Sequence, residues 1–218
     1  AMSLDGRTAM ASGESQWITG AAARSDVQRL RARSSVIVTG IGTVLADDPS
    51  LTVRADELGL DNAQQVAKRQ PLRLVLDSQF RTPLTAKLLS RSGTVLLAGA
   101  ADSESRKVLQ QEGYETCLLA DRDGGGVDLP GVMHLLAERE INEVLIEAGA
   151  TLSGAFVQQG LVDELVIYVA PKLLGSGARA LFNLPGLERM SEHIRIEIKD
   201  VRNVGEDLRI NALVAETK

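Results

Sequence analysis

Val144-Leu-Ile146 runs directly into Glu147-Ala-Gly-Ala-Thr-Leu-Ser-Gly-Ala155, and this junction constrains the fold more than any other stretch of the chain. An apolar run, a glycine turn and a helical pattern from Thr151 to Gln159 read as strand, turn and helix. That arrangement aims backbone N–H groups and the positive end of a helix dipole at a phosphate. Gly149 and Gly154 carry no side chains, so a diphosphate has room against the main chain. Thr151 and Ser153 add hydroxyls, and Glu147 sits at the strand's carboxyl end, where open α/β sheets bind ligands. The plainer reading is an ordinary strand–helix turn with Thr151 as its cap. Neither standard nucleotide fingerprint fits: Ala-Phe follows Gly154 where a P-loop needs Lys-Ser/Thr, and there is no G-x-G-x-x-G.

The remaining chain extends the pattern. Residues 3–20 are rich in Ser, Gly and Thr and read as a long loop. Ala21 to Arg33 is an amphipathic helix with Val27 and Leu30 on one face, several arginines elsewhere and Thr19 as candidate cap. Strands are expected at Ser35–Thr39, Leu72–Asp77, Thr94–Ala98, Tyr114–Leu119, Glu143–Ile146 and Asp163–Ala170. Helices are expected at Asp102–Gln111, Val132–Arg139 and Thr151–Gln159, the last ended by Gly160. Gly40 to Arg54 reads as a loop or short helix, residues 55–70 as a polar surface excursion, and Asp121-Arg-Asp-Gly-Gly-Gly126 as a turn. Ile194-Arg-Ile-Glu-Ile-Lys199 alternates strictly and Asp207–Val214 follows it, so the end is an antiparallel hairpin with one wet face. Strands alternating with helices, then a hairpin, give a mostly parallel central α/β sheet flanked by helices with a C-terminal antiparallel edge. With no linker or repeat, residues 1–218 read as one domain.

Composition narrows the function classes. A net charge of −5 argues against a general nucleic-acid binder, so basic groups must cluster locally if the ligand is a phosphate. Cys117 is the single cysteine, which excludes an internal disulfide and fits a reducing cytosol. It lies in a strand-like run and reads as a small buried hydrophobe. His134 and His193 have no ligand-spaced partners, so no protein-held metal is expected. No apolar run approaches the roughly 20 residues that span a bilayer, and no secretory leader is read.

Chemistry has three candidate places: the turn at Glu147–Ala155, the stretch Thr43–Arg54, and Asp77-Ser78 with Arg81. Arg31 and Arg54 offer planar forks for a phosphate monoester, although on spacing alone Arg31 reads as a solvated helix residue. Asp47-Asp48 before Pro49 reads first as turn acids. Trp17, the one tryptophan, is either a hydrophobic plug or a stacking platform. Two histidines leave acyl transfer little to build on.

Together the segments resemble a known family. Ser3-Leu-Asp-Gly-Arg-Thr-Ala9, Gly13-Glu-Ser-Gln-Trp-Ile-Thr19, Gly42-Thr-Val-Leu-Ala-Asp-Asp-Pro-Ser-Leu-Thr-Val-Arg54, Leu76-Asp-Ser78, Glu147-Ala-Gly-Ala-Thr-Leu-Ser-Gly154 and Val162-Asp-Glu-Leu-Val-Ile-Tyr-Val-Ala-Pro-Lys-Leu-Leu-Gly175 occur in that order. The set resembles the reductase domain of the bacterial bifunctional riboflavin-biosynthesis deaminase/reductases of the RibD type, over nearly the whole chain. The resemblance implies a dihydrofolate-reductase-like α/β fold. It also implies NADPH-dependent reduction of 5-amino-6-(5-phosphoribosylamino)uracil to the ribitylamino compound. It puts NADPH at Trp17, Thr43, Asp47, Ser78 and the turn Gly149, Ala150, Thr151, Leu152, Ser153, Gly154 and Ala155. It puts the phosphorylated pyrimidine substrate at Ser15, Arg31, Leu51, Arg54 and Glu147, which reverses the solvated reading of Arg31 and tilts Trp17 toward the nicotinamide. Asp47 and Glu147 are the carboxylates expected nearest the reacting centre.

The resemblance further implies a homodimer, and the composition a cytoplasmic protein with no nucleic-acid or membrane partner. The family's N-terminal zinc deaminase, with its His and Cys ligands, has no counterpart here, so the chain is expected to be the C-terminal part of a longer fusion or a chain trimmed to the reductase, one that reduces but does not deaminate. It departs from the family pattern at its start, where Ala-Met-Ser-Leu-Asp-Gly follows almost no strand. Two other readings stand beside it: a pterin or dihydrofolate-type reductase, for which the Arg31/Arg54 pair has no purpose, and a non-catalytic NADPH-binding domain.

Overall fold

The structure, a computed structural model, describes residues 1–120 and 126–215. In chain order the elements are β1 (Met2–Ser3), β2 (Arg7–Ala9), α1 (Ala21–Arg33), β3 (Val36–Gly40), α2 (Ile41–Asp47), α3 (Ala55–Leu58), α4 (Ala63–Val66) and β4 (Leu72–Leu76). Then come α5 (Lys87–Ser90), β5 (Val95–Gly99), α6 (Glu104–Gln111), β6 (Glu115–Leu118), α7 (Leu129–Glu138), β7 (Val144–Ile146) and α8 (Ala150–Gln158). β8 (Glu164–Ala170), β9 (Arg179–Ala180), a 3-10 turn at Met190–Glu192, β10 (Ile196–Val204) and β11 (Asp207–Val214) complete the described chain. The turn read at Asp121–Gly126 lies, except for Gly126, outside the described residues. The chain divides into two compact units: residues 28–149, and residues 1–27 with 150–218.

The 28–149 unit is a five-stranded, wholly parallel sheet in the order β6-β5-β4-β3-β7. Val36, Ile37, Val38, Leu74, Val75, Leu96 and Leu97 are completely buried, which is why these strands read as continuous apolar runs rather than alternating ones. Val44, Phe80, Ala86, Leu88, Leu89 and Leu109 pack with Val75, Val95 and Leu97 into one core cluster. Ser103 caps α6 by accepting the Arg106 N–H, so the helix begins at Glu104, two residues later than its sequence pattern suggests. The strand order reverses at β3, whose neighbours are β4 on one side and β7 on the other.

The 1–27/150–218 unit has a sheet in the order β1-β8-β11-β10, with β1 parallel to β8 and the other pairs antiparallel. The C-terminal hairpin is present, but it pairs with β8 in this separate sheet and not with an edge of the parallel one. Gly205 closes it with φ +66°, and a side chain there would meet Ala22 at 2.9 Å. The alternation in β10 does not bury a face as expected. β10 is an edge strand exposed along almost its whole length, with Ile196, Ile198 and Val201 all in solvent. The cap of α1 falls to Gly20 and not Thr19: the Gly20 carbonyl accepts the Arg24 N–H, while the Asp207 carboxylate accepts the Gly20 N–H at 2.8 Å.

Among the described residues no helix is long and apolar enough to cross a membrane.

Candidate functional site at the switch point of the parallel sheet

In open parallel sheets, ligands bind outside the carboxyl ends of the strands where the strand order reverses. Here that point lies between β3 and β7, and the loops leaving those strands carry several of the candidate residues. β7 ends at Ile146 and delivers Glu147; β3 ends at Gly40 and leads into α2, which carries Thr43 and Asp47. The Gly149 N–H donates to Thr43 Oγ1 at 3.2 Å, joining the two loops. Gly149 is exposed and Asp47 is exposed.

Arg31 reaches the same place from the last turn of α1. Its Nε and Nη2 donate to the two Glu147 oxygens at 2.7 Å each, and its Nη1 donates to the Thr52 carbonyl at 3.1 Å. The pair is mostly shielded, with side-chain exposures of 12% and 22%. Burial alone pulls the Arg31 pKa down; the Glu147 charge and hydrogen bonds outweigh it and hold the pKa above the ordinary arginine value. The solvated reading of Arg31 is therefore corrected: the side chain is tied down by two strong charged bonds.

Arg54 forms a second fork beside the first. Its Nε and Nη2 donate to Glu57 at 2.8 and 2.6 Å, and its backbone N–H donates to Gln28 Oε1 at 2.9 Å. Gln28 is 1% exposed, so the deepest residue of α1 on this side is polar, a position that reading the helix for apolar periodicity missed. Leu51 is buried and holds a left-handed backbone at φ +49°, which bends the segment between α2 and Arg54. The 55–70 stretch is not a loose surface excursion. Leu58 is fully buried, Arg29 Nε donates to its carbonyl at 3.0 Å, and Gln70 clamps Val53 through both its N–H and its carbonyl.

Ser78 follows β4 at the same edge. Its carbonyl accepts N–H bonds from Ala100 and Ala101. The preceding Asp77 is fully buried; its Oδ2 accepts the Thr82 N–H and hydroxyl at 2.7 and 2.9 Å, while Oδ1 has no hydrogen-bond partner among the described residues. Arg81 Nε stands 4.0 Å from that oxygen.

The other candidates belong to the 1–27/150–218 unit. Trp17 is 61% exposed, which rules out the plug reading, and the Arg24 guanidinium lies 4.6 Å from its ring centroid. Lys172 Nζ donates to the Trp17 carbonyl at 2.8 Å. Ser15 is half-buried in the same segment. α8 begins at Ala150, so Thr151 lies inside its first turn and is not the cap. Ala150 to Ser153 form the first turn of α8, and Gly154 and Ala155 lie beyond it. Gly154 is buried, and a side chain there would collide with the Asn183 backbone, so its missing side chain serves chain packing. Cys117 is half-buried, and burial pushes its thiol pKa up, which makes it a poor nucleophile. Among the described residues no group of three or more His, Cys, Asp or Glu is arranged to hold a metal.

The geometry is that of a parallel α/β domain with two arginine–carboxylate forks gathered at its carboxyl edge. Residues 1–210 match the RibD C-terminal domain family, and the chain belongs to that family. It is 47% identical over 216 residues to the riboflavin biosynthesis protein RibD of Escherichia coli K12, covering 98% of this chain and 58% of the relative. It is 33% identical to the 5-amino-6-(5-phosphoribosylamino)uracil reductase of Buchnera aphidicola from Acyrthosiphon pisum, covering 92% and 97%. The solved structure of Acinetobacter baumannii RibD superposes with a TM-score of 0.83 at 44% identity, over 99% of this chain and 56% of that one. The chain thus spans a little over half the length of the RibD relatives.

Proposed function

We propose that residues 1–218 act as a reductase that converts 5-amino-6-(5-phosphoribosylamino)uracil to its ribitylamino counterpart, with NADPH as electron donor. The observation that carries this reading is the convergence of Arg31, Thr43, Glu147 and Gly149 where the loops after β3 and β7 meet. The name of the Buchnera relative, which this chain matches over 97% of its length, supports the substrate.

NADPH when bound supplies the hydride. The donors present suit it: hydroxyls of Thr43 and Ser78 and the N–H groups of the α8 first turn fit phosphate oxygens, and the exposed Trp17 face fits a planar ring. On the substrate, the C1′–O4′ bond breaks as the C1′–N bond becomes an imine, and the proton leaving nitrogen goes to O4′. C1′ then receives the hydride and the nitrogen takes a proton from solvent, so one NADPH and one proton are consumed. In this chain Arg31 and Arg54 hold the 5′-phosphate, and Leu51 and Ser15 line the substrate. Glu147, fixed by Arg31, accepts hydrogen bonds from the pyrimidine or ribityl hydroxyls, and Asp47 stands on the cofactor side. Alignment of donor and acceptor is the protein's main contribution. A cytoplasmic homodimer, fused to a deaminase in the full-length protein, completes the proposal.

The test is NADPH oxidation with the phosphoribosylaminouracil, with NADH and dihydrofolate as parallel controls. Turnover with NADPH and this acceptor alone is expected. Turnover of dihydrofolate instead would replace the reading with a pterin-type reductase, and tight NADPH binding without any turnover would replace it with a binding domain. If Asp47→Asn and Glu147→Gln both leave kcat and KM unchanged, neither carboxylate contributes.

A further inference from the structure

The two forks at the carboxyl edge contain two arginines and two glutamates. Arg31 answers Glu147, which the proposed function uses. Glu57 answers Arg54, and nothing in that function uses Glu57. Yet Glu57 takes the Nε and Nη2 edge of Arg54, the same bidentate edge that a phosphate takes. Its charge is also felt at Arg31. With Glu57 seated the four side chains sum to zero charge. A phosphate monoester carries close to two negative charges near neutral pH, and a carboxylate left in place beside it repels it.

We propose that Glu57 is a placeholder for the substrate's phosphate: its carboxylate occupies the Arg54 fork in the empty enzyme and is displaced when the phosphate arrives. The inference rests on the proposed role of Arg54. The local structure suits such an exchange. Leu58, the next residue, is fully buried and anchors α3, and Gln28 Oε1 accepts the Arg54 backbone N–H while its Nε2 donates to Glu57 Oε2 at 3.4 Å. Glu57 itself is about one-third exposed, at 35%. Displacement gives up the two Arg54 bonds and the long bond from Gln28, and a rotamer change carries the carboxylate to water while the buried Leu58 keeps the backbone in place.

The consequence is selectivity. A dianion brings enough charge to displace the carboxylate, whereas an unphosphorylated analogue meets a fork already filled. Glu57 thus lowers affinity for every ligand, and the phosphorylated one has the means to recover it. Like-charge removal from a bidentate fork is expected to tighten phosphate binding by about tenfold.

The test titrates inorganic phosphate calorimetrically into the wild-type chain, Glu57→Gln, Glu57→Ala and Arg54→Ala, and measures KM for the phosphoribosylaminouracil in the same proteins. Both Glu57 variants should bind phosphate about tenfold more tightly and show a lower KM, and Arg54→Ala should bind it weakly. Using Gln and Ala together separates a residual hydrogen bond from loss of charge. Unchanged or weaker phosphate binding in both Glu57 variants overturns the proposal and makes Glu57 a brace that merely positions Arg54. If the wild type fails to reduce the phosphoribosylaminouracil while Glu57→Gln still tightens phosphate, the assigned reaction fails and the placeholder stands.

Discussion

Arg73 and Arg31 are both arginines drawn out of water in the 28–149 unit, and they are held in opposite ways. Arg73 is fully buried on β4 and donates to carbonyl oxygens only: Leu88 at 2.8 Å, Ser92 at 2.9 Å, Gly93 at 2.8 Å and Arg91 at 3.1 Å, with Ser50 at 3.4 Å. Desolvation, unopposed by any carboxylate, lowers its pKa. Arg31 is held by a carboxylate that raises its pKa. A cation wrapped in neutral oxygens keeps its charge but shows it to nothing, and so works as a fastening. A cation paired with a carboxylate at a strand's carboxyl edge is electrically quiet until another anion contests the pair. Burial and hydrogen-bond number alone do not separate these two arginines; the charge of their partners does.

The comparison breaks most visibly at Arg73. Arg73→Met should remove the shared donor of the Leu88, Arg91, Ser92 and Gly93 carbonyls and cost about 3–5 kcal/mol, read as a shift in urea midpoint, since a hydrogen bond to a charged group contributes about 1.5–3 kcal/mol. A loss under about 1 kcal/mol would mean the carbonyls rehydrate and the fastening is dispensable. Next is Arg54→Ala, expected to raise KM for the phosphorylated substrate about tenfold or more, from loss of about 1.5–3 kcal/mol of charged hydrogen bonding, with little change in urea midpoint. An unaltered KM would remove Arg54 from the phosphate site. Arg31→Lys keeps the charge and loses the fork. It should lower kcat/KM by roughly 2–10-fold, the equivalent of one ordinary hydrogen bond, with the urea midpoint nearly unmoved.

The smallest effect sharpens the contrast from the anionic side. Asp5 is the counterpart of Arg73, an anion held by neutral donors: the Ser3 hydroxyl and the Leu174 and Gly175 N–H groups. The Ser3 hydroxyl is the largest cause of a pKa lowered from 3.8 to about 2. Because the folded pKa is depressed, its contribution is complete above the unfolded pKa and lost as pH falls through the folded one. The difference in urea midpoint between wild type and Asp5→Asn should therefore shrink between about pH 4 and about pH 2. A constant difference across that window would show that the N–H donors do not favour the ionised form.

Much of this was legible from residues alone, and the failures share a cause. The parallel strands were plain because burial on both faces leaves unbroken apolar runs, and the place of Glu147 at the carboxyl end of β7 was plain because the apolar run Val144–Ile146 stops there. Arg73 was not: Leu72-Arg-Leu-Val-Leu76 looks like a strand with one wet position, and only the folded chain brings the carbonyls of 88–93 around it. Glu57 was hidden within a polar stretch that local composition marks as surface, because its meaning depends on Arg54 and Gln28. The hairpin was read correctly as a hairpin, but sequence periodicity says nothing about which strand it joins. For Gly154 the glycine was noticed and the neighbour, Asn183, was not, since the two are brought together only by tertiary packing.

The division of the chain has a consequence for how it is made. Residues 28–149 are continuous, whereas the other unit is assembled from the segments on either side. The parallel sheet therefore has all its parts as soon as Gly149 has been synthesised. β1 has no such luck: Ser3 pairs with Ala170, and at about 5–20 residues per second that partner follows on the order of 10–30 s later. During that interval the early segment carries apolar residues with no sheet to join, while the inserted unit folds between its two halves. Order of synthesis then makes the unit of residues 1–27 and 150–218 the last to become native, and its slow step should track the pairings that span the inserted unit, β1 with β8 and β2 with β9.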